Sequence, residues 1–438
     1  MDLKGVTSMQ IHVIQSGDTI FALSQLYGVS SQAIIDINEL PSPEDLVIGQ
    51  ALVIPIIGQF YTVQQGDTFI SIGEKFNIPY MEIAQINALS INQPLSIGLR
   101  LYIPPTPKTN ISTFGYVEPL GDSVSPTLEN AVRKYARLLT FLAPFSYRVQ
   151  RDGTLNPPLL NQFLEIAADN NTYPSLVVTN LEGPSFSTEL MHIILTVQAV
   201  QNTLLDEIVN TAQREGFGDV HFDFEFVAPE DREAYNAFLR IAKDRFTQAG
   251  LLLSTALAPK TSATQTGLLY EAHDYKEHGE IVDFVVLMTY EWGYSAGPAM
   301  AVSPLPEVQQ VVEYAITEIP PEKIMLGQNL YGYDWTLPFV QGESFARARS
   351  PQQAIDLARE KNVAIEFDER AQAPFFTYWD AGKEHEVWFE DARSIQAKFD
   401  LIKQFNLRGI AYWKLGLAFP QNWALLEDNF TIEKKPSS

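Results

Sequence analysis

Asp219-Val-His-Phe-Asp-Phe-Glu225 decides how the rest of the chain is read. It reads as a buried strand that delivers two carboxylates, Asp223 and Glu225, to one edge of a sheet. Side chains two apart on a strand share a face, with Cα atoms roughly 6.6 Å apart. Carboxylates held that close cannot both ionise freely, so one stays protonated near neutral pH. Gly216-Phe-Gly218 precedes the stretch, and Ala228-Pro-Glu-Asp231 follows it ahead of a helical run. An isolated Asp-x-Glu is more often the salt-bridged acidic end of an ordinary strand. The neighbouring elements must therefore decide.

From about Ser112 onward, β-like and helical stretches alternate. Strands are predicted at 114–117, 139–143, 175–179, 220–224, 251–256, 282–288, 324–329 and 409–413. Helices separate them at 189–213, 232–246, 307–316 and 392–405. Strand and helix in alternation over about 320 residues predict an α/β fold, a (β/α)8 barrel. The long gap before the last strand predicts a small α+β insertion between strands seven and eight, at about 339–390. Barrel sites lie at the C-terminal ends of the strands. The sixth ends in Met288-Thr-Tyr290-Glu291-Trp292, the seventh in Gln328-Asn-Leu-Tyr331-Gly-Tyr333-Asp334-Trp335, and the eighth in Tyr412-Trp413-Lys414. Aromatic faces stack on sugar rings while carboxylates move protons, so these ends together predict a sugar site.

Ahead of the barrel the chain repeats itself at a constant offset. Gly17-Asp18-Thr19 recurs as Gly66-Asp67-Thr68, Asn38 as Asn87, and Ile54-Pro55 as Ile103-Pro104. Each unit reads as βααβ, with Asp or Thr capping its first helix. The expected division is a loose start at 1–8, repeats at 9–56 and 58–105, a proline-rich linker at 106–112, the barrel at 113–430 and a tail at 431–438.

Hydrophobic residues at 46% of 438 describe a chain with a large core. A net charge of −23 repels nucleic acid and anionic membranes. The chain has no cysteine, which excludes disulfides and thiolate metal sites. No apolar run approaches the ~20 residues of a membrane span. Lys4 is the sole cation among the first 20 residues and no apolar stretch follows it, so no secretory signal peptide is expected. The six histidines have no metal-ligand spacing, and His273 and His278 are placed in a solvated loop. No metal and no cofactor is expected, and a monomer is.

The repeats resemble the lysin motif (LysM), a module that binds N-acetylglucosamine-containing glycans. The resemblance implies glycan grooves along Gly17, Asp18, Thr19 and Asn38, and along Gly66, Asp67, Thr68 and Asn87. The barrel resembles glycoside hydrolase family 18, whose fourth strand carries D-x-x-D-x-D-x-E. Asp223 and Glu225 match its end, while Gly218 and His221 replace its first two carboxylates. The resemblance implies Glu225 as the acid, Asp223 and Tyr290 holding the substrate's acetamide, and Trp413 flooring the sugar. Met288, Glu291, Trp292, Gln328, Tyr331, Asp334 and His221 are expected around them, with His221 orienting or sharing charge with Asp223. With two lysin motifs, the family 18 domain, Ala228-Pro-Glu-Asp-Arg-Glu-Ala-Tyr235, His385-Glu-Val-Trp-Phe-Glu-Asp391 and Phe419-Pro-Gln-Asn-Trp423, the chain resembles the spore cortical-fragment-lytic enzymes over nearly its full length. That implies an N-acetylglucosaminidase of cortex peptidoglycan, acting at germination on strands containing N-acetylglucosamine and muramic-δ-lactam and located in the cortex or coat region of the spore. A chitin-oligomer hydrolase and a non-catalytic peptidoglycan-binding protein on a retired barrel are the alternatives.

Overall fold

Eight short segments are buried along most of their length, as strands covered on both faces are. In the computed structural model, which describes residues 6, 7 and 9–436, these segments are Thr109–Val117, Phe141–Pro144, Tyr173–Thr179, Asp219–Asp223, Leu252–Leu257, Phe284–Leu287, Ile324–Asn329 and Gly409–Trp413. Each pairs in parallel with the next, and the eighth pairs with the first, so the sheet closes into a barrel. Phe114, Phe141, Val177, Phe284 and Met325 fill its interior. The outer strand faces pack against the helices in a larger core that includes Phe222, Phe238, Leu326 and Phe399.

Four of the expected divisions change. The linker expected at 106–112 is barrel strand from Thr109 onward. Phe430–Ile432 pairs with Thr109–Ile111, so the tail expected from 431 begins inside the sheet. Exposed polar Thr109 and Asn110 after a proline-rich run read as a linker, yet their backbones carry a ladder. At the start expected to be loose, Val6–Thr7 pairs with Thr106–Pro107; residues 1–5 and 8 lie outside the described residues. The insertion begins at Gly332 rather than near 339, because Gly332–Thr336 turns away into its own antiparallel sheet. That sheet has five strands, and helix Pro351–Lys361 packs on it through Ile355, Phe376, Val387 and Phe389.

Each N-terminal repeat folds as two short helices behind an antiparallel strand pair, Gln10–Val13 with Ala51–Ile54 and Gln59–Thr62 with Arg100–Ile103. The first repeat is docked on the barrel domain. Ala51 and Val53 join its main hydrophobic core. Ile365 N–H donates to Ile48 O at 2.9 Å, and Arg393 donates to Gly49 O at 3.1 Å. Gly49 has φ +84°, and a Cβ there would sit 1.8 Å from Ile365 O, so the dock requires glycine. The second repeat packs on the first: Phe60 N–H donates to Gln10 at 2.7 Å, and Arg100 lies 5.3 Å from the Tyr27 ring. Among the described residues no single helix is long and apolar enough to cross a membrane.

Candidate active site

The fourth strand ends at Asp223, and Phe226 turns the chain sharply at φ 54°. Glu225 therefore sits just past the strand. Two side chains from elsewhere hold this end. Asn180, after the third strand, accepts from Glu225 N–H at 3.1 Å and donates to Glu225 O at 2.8 Å. His273 Nδ1 accepts from Ala258 N–H at 2.8 Å, which leaves Nε2–H to donate to Phe224 O at 3.0 Å. The expectation of solvated His273 and His278 is overturned, since both are buried. Helix Tyr275–Ile281 packs His278 against Thr255 of the fifth strand, 3.0 Å away. Burial lowers His273 to about 4 and His278 to about 3, so both are neutral.

Asp223 and Glu225 open into a cavity of about 740 Å³ that also meets Met288, Tyr290, Glu291, Tyr331 and Trp413. Trp413 forms edge contacts with Tyr116 and Phe145, at ring separations of 5.3 and 4.8 Å. Burial pushes the Glu225 carboxyl well above the ordinary range, and the charge of Asp223 adds to this. Burial raises Asp223 too. Asp223 Oδ1 is buried with no hydrogen-bond partner in the protein. Tyr290 is raised well above the usual phenol range, first by burial and then by Asp223 and Glu225, and stays a donor. Tyr331 and Tyr333 both donate to Glu291, the latter at 3.1 Å. The site therefore combines a protonated carboxyl, a second carboxyl, a phenolic donor and aromatic walls.

Residues 129–418 match the glycosyl hydrolases family 18, and residues 12–55 and 61–104 match the LysM domain. The chain belongs to glycosyl hydrolase family 18. This family 18 enzyme is 62% identical over 428 residues to the cortical fragment-lytic enzyme of Bacillus subtilis (strain 168), covering 98% of this chain and 99% of that one. It also superimposes on the crystal structure of the Bacillus cereus spore cortex-lytic enzyme SleL, with a TM-score of 0.93, 48% identity and coverage of 98% and 100%. The Bacillus megaterium QM B1551 SleL structure gives 0.87 and 52%, covering 98% and 99%.

Four expected site residues of the family 18 domain do not line the cavity. His221 shares the inward face of Asp223 but lies one layer deeper. It contacts Tyr116 and Ser254, at 2.7 and 2.8 Å, rather than Asp223. Burial lowers it to about 3, so it carries no charge to share. With Asp219 ionised, Ser254 donates to that carboxylate at 3.0 Å, accepts from His221 Nδ1–H, and leaves Nε2 to accept from the Tyr116 hydroxyl. Gln328 is buried and donates to Asn329 O at 2.9 Å. Trp292 packs against the outer core. Asp334 is buried and holds Arg349 at 2.7 Å, and it is Arg349 that reaches the cavity.

Sequence reasoning missed Tyr116, Phe145, Arg148, Asn180, His273 and Arg349. They come from other strands, from βα loops and from the insertion, away from the carboxylates of the fourth strand.

In the LysM modules, Asn38 and Asn87 face inward rather than toward a ligand. Asn38 accepts from Val53 N–H at 2.8 Å and donates to Val53 O at 2.7 Å; Asn87 clamps Tyr102 in the same way. Asp18 and Asp67 close their turns by accepting from Gln15 and Gln64 N–H. Thr19 and Thr68 cap helices. Gly17 and Gly66 hold φ near +91 and +90°. Glu39, beside Asn38, pairs with Lys134 of the barrel at 2.5 Å.

Proposed function

We propose that this glycoside hydrolase is an N-acetylglucosaminidase that cuts β-1,4 bonds of spore cortex peptidoglycan fragments during germination. The observation that carries the reading is the protonated Glu225 beside Asp223 and Tyr290, in a chain similar end to end to cortical fragment-lytic enzymes. Glu225 protonates the leaving glycosidic oxygen. The substrate's own acetamide oxygen attacks the anomeric carbon, giving an oxazolinium ion that water opens with retention. This is the substrate-assisted exception to the two-carboxylate scheme. Asp223, buried and short of a partner at Oδ1, takes the acetamide N–H and steadies its growing positive charge. Tyr290 donates to the acetamide oxygen, and Trp413 floors the sugar. The LysM modules hold glycan strands, and the enzyme works at the spore cortex.

Proton NMR in the first minutes of cleavage tests the mechanism, and product mass spectrometry on cortex fragments beside chitin oligomers tests the substrate. The β-anomer is expected first, together with cortex products ending in reducing N-acetylglucosamine. An initial α-anomer would mean direct attack by water and would remove the roles given to Asp223 and Tyr290.

A further inference from the structure

Three cations face the active cavity, Arg148, Arg349 and Lys414, and two of them are neutralised. Arg349 pairs with Asp334 at 2.7 Å, and Lys414 with Glu118. Among the described residues no carboxylate pairs with Arg148. Its guanidinium donates to Gly183 O at 2.9 Å, at the turn of the hairpin formed by Leu181–Glu182 and Ser185–Phe186. A guanidinium has five donors in a planar fork that matches a carboxylate.

At Arg148 the active cavity also meets a second groove of about 490 Å³, which shares Arg148, Leu181 and Gly183 with it. The groove's other walls are Val149 and the polar Gln150, Asn156, Glu182 and Arg151. Arg151 is already held by Glu182 at 2.7 Å and Glu189 at 3.0 Å. The unpaired cation therefore stands where the two spaces join.

We propose that Arg148 and this side groove take a carboxylate-bearing branch of the glycan while the sugar backbone occupies the active cavity. The proposal rests on the glycosidase reading above and names the feature of the substrate that this site selects. An unbranched N-acetylglucosamine polymer has nothing to place beside Arg148. A strand whose alternate sugars carry lactyl or lactyl-peptide branches does.

The test measures kcat/KM on two soluble tetramers of alternating N-acetylglucosamine and N-acetylmuramyl units. One carries lactyl-alanine branches ending in free carboxylates, and the other carries the same branches as primary amides. The full-length wild type is expected to prefer the acid form. Arg148→Gln should cut that preference about tenfold, and Arg148→Lys should keep part of it, as expected for a charge-assisted, partly bidentate contact. An equal rate on both forms by the wild type, or a preference that Arg148→Gln leaves intact, overturns the proposal. Equal losses on both forms would mean that Arg148 only pins the hairpin, and would overturn it as well. If Arg148→Gln fails to fold, a salt series on the wild type decides. KM should rise with added NaCl for the acid tetramer alone, and parallel curves overturn the proposal. Cleavage of neither tetramer by a wild type that does cut muramic-δ-lactam-containing cortex fragments overturns the proposal. Cleavage of neither the tetramers nor those fragments would instead bring down the glycosidase reading on which it rests.

Discussion

Glu225→Gln keeps the shape of the side chain and removes its proton. Hydrolysis is expected to fall by about 10²–10⁴ or more, with the melting temperature not lowered, since a neutral amide in this buried place carries no ionisation cost. Near-normal turnover, with contaminating enzyme excluded, would end the assignment of Glu225. Burial of carboxyls beneath it has a second consequence. Asp219, 3.8 in its ordinary state, is raised to about 7. A group whose folded pKa is raised contributes stability that is complete below its unfolded value and is lost as pH rises through the folded one. The melting-temperature difference between Asp219→Asn and wild type should therefore shift in the variant's favour from about pH 4 to about pH 7. A difference that stays flat across that window would show that Asp219 does not titrate there. Asp223, Glu225, Tyr290 and Trp413 were legible because strand ends of a barrel face one mouth. His221 was misread because a period of two assigns a face and says nothing of depth.

At the scale of elements, the end of the fourth strand is held in place by Asn180 and His273, each supplied by a different βα unit. Asn180→Ala is expected to lower kcat up to about 10²-fold with a smaller change in KM, because a misplaced acid loses reaction geometry more than binding. Steady-state kinetics on a soluble fragment checks this, and a pure KM effect would count against a positioning role. Gly327 marks another close approach: a Cβ there would sit 2.2 Å from Leu287 O and 3.0 Å from the Tyr290 ring. No local pattern announces such contacts. The insertion shows the same limit. Gly332–Thr336 reads as the tip of the seventh strand, and only its antiparallel partners Arg347–Arg349 and Lys383–Trp388 assign it elsewhere.

For the whole molecule, the first LysM module is part of the barrel's packing rather than a tethered passenger. Deleting residues 1–104 should lower the barrel's melting temperature by several degrees, because it uncovers the apolar surface that Ala51 and Val53 bury. Gly49→Val should produce part of that loss by forcing the module off Ile365. Scanning calorimetry decides, and equal melting of the intact and truncated chains would mean that the modules are only tethered. From the sequence alone follow the eight strands, the paired repeats, and the carboxyl pair Asp223 and Glu225 at one strand end. These depend on local periodicity and on residues a few positions apart. Tertiary structure alone decided that Asn38 and Asn87 clamp backbone, that His273 holds the end of the fourth strand, that Arg349 enters the cavity in place of Asp334, and where the first module docks. Each of those depends on which buried polar group meets which partner across a long stretch of chain, and a buried hydrogen-bonding group must find a partner wherever the fold supplies one.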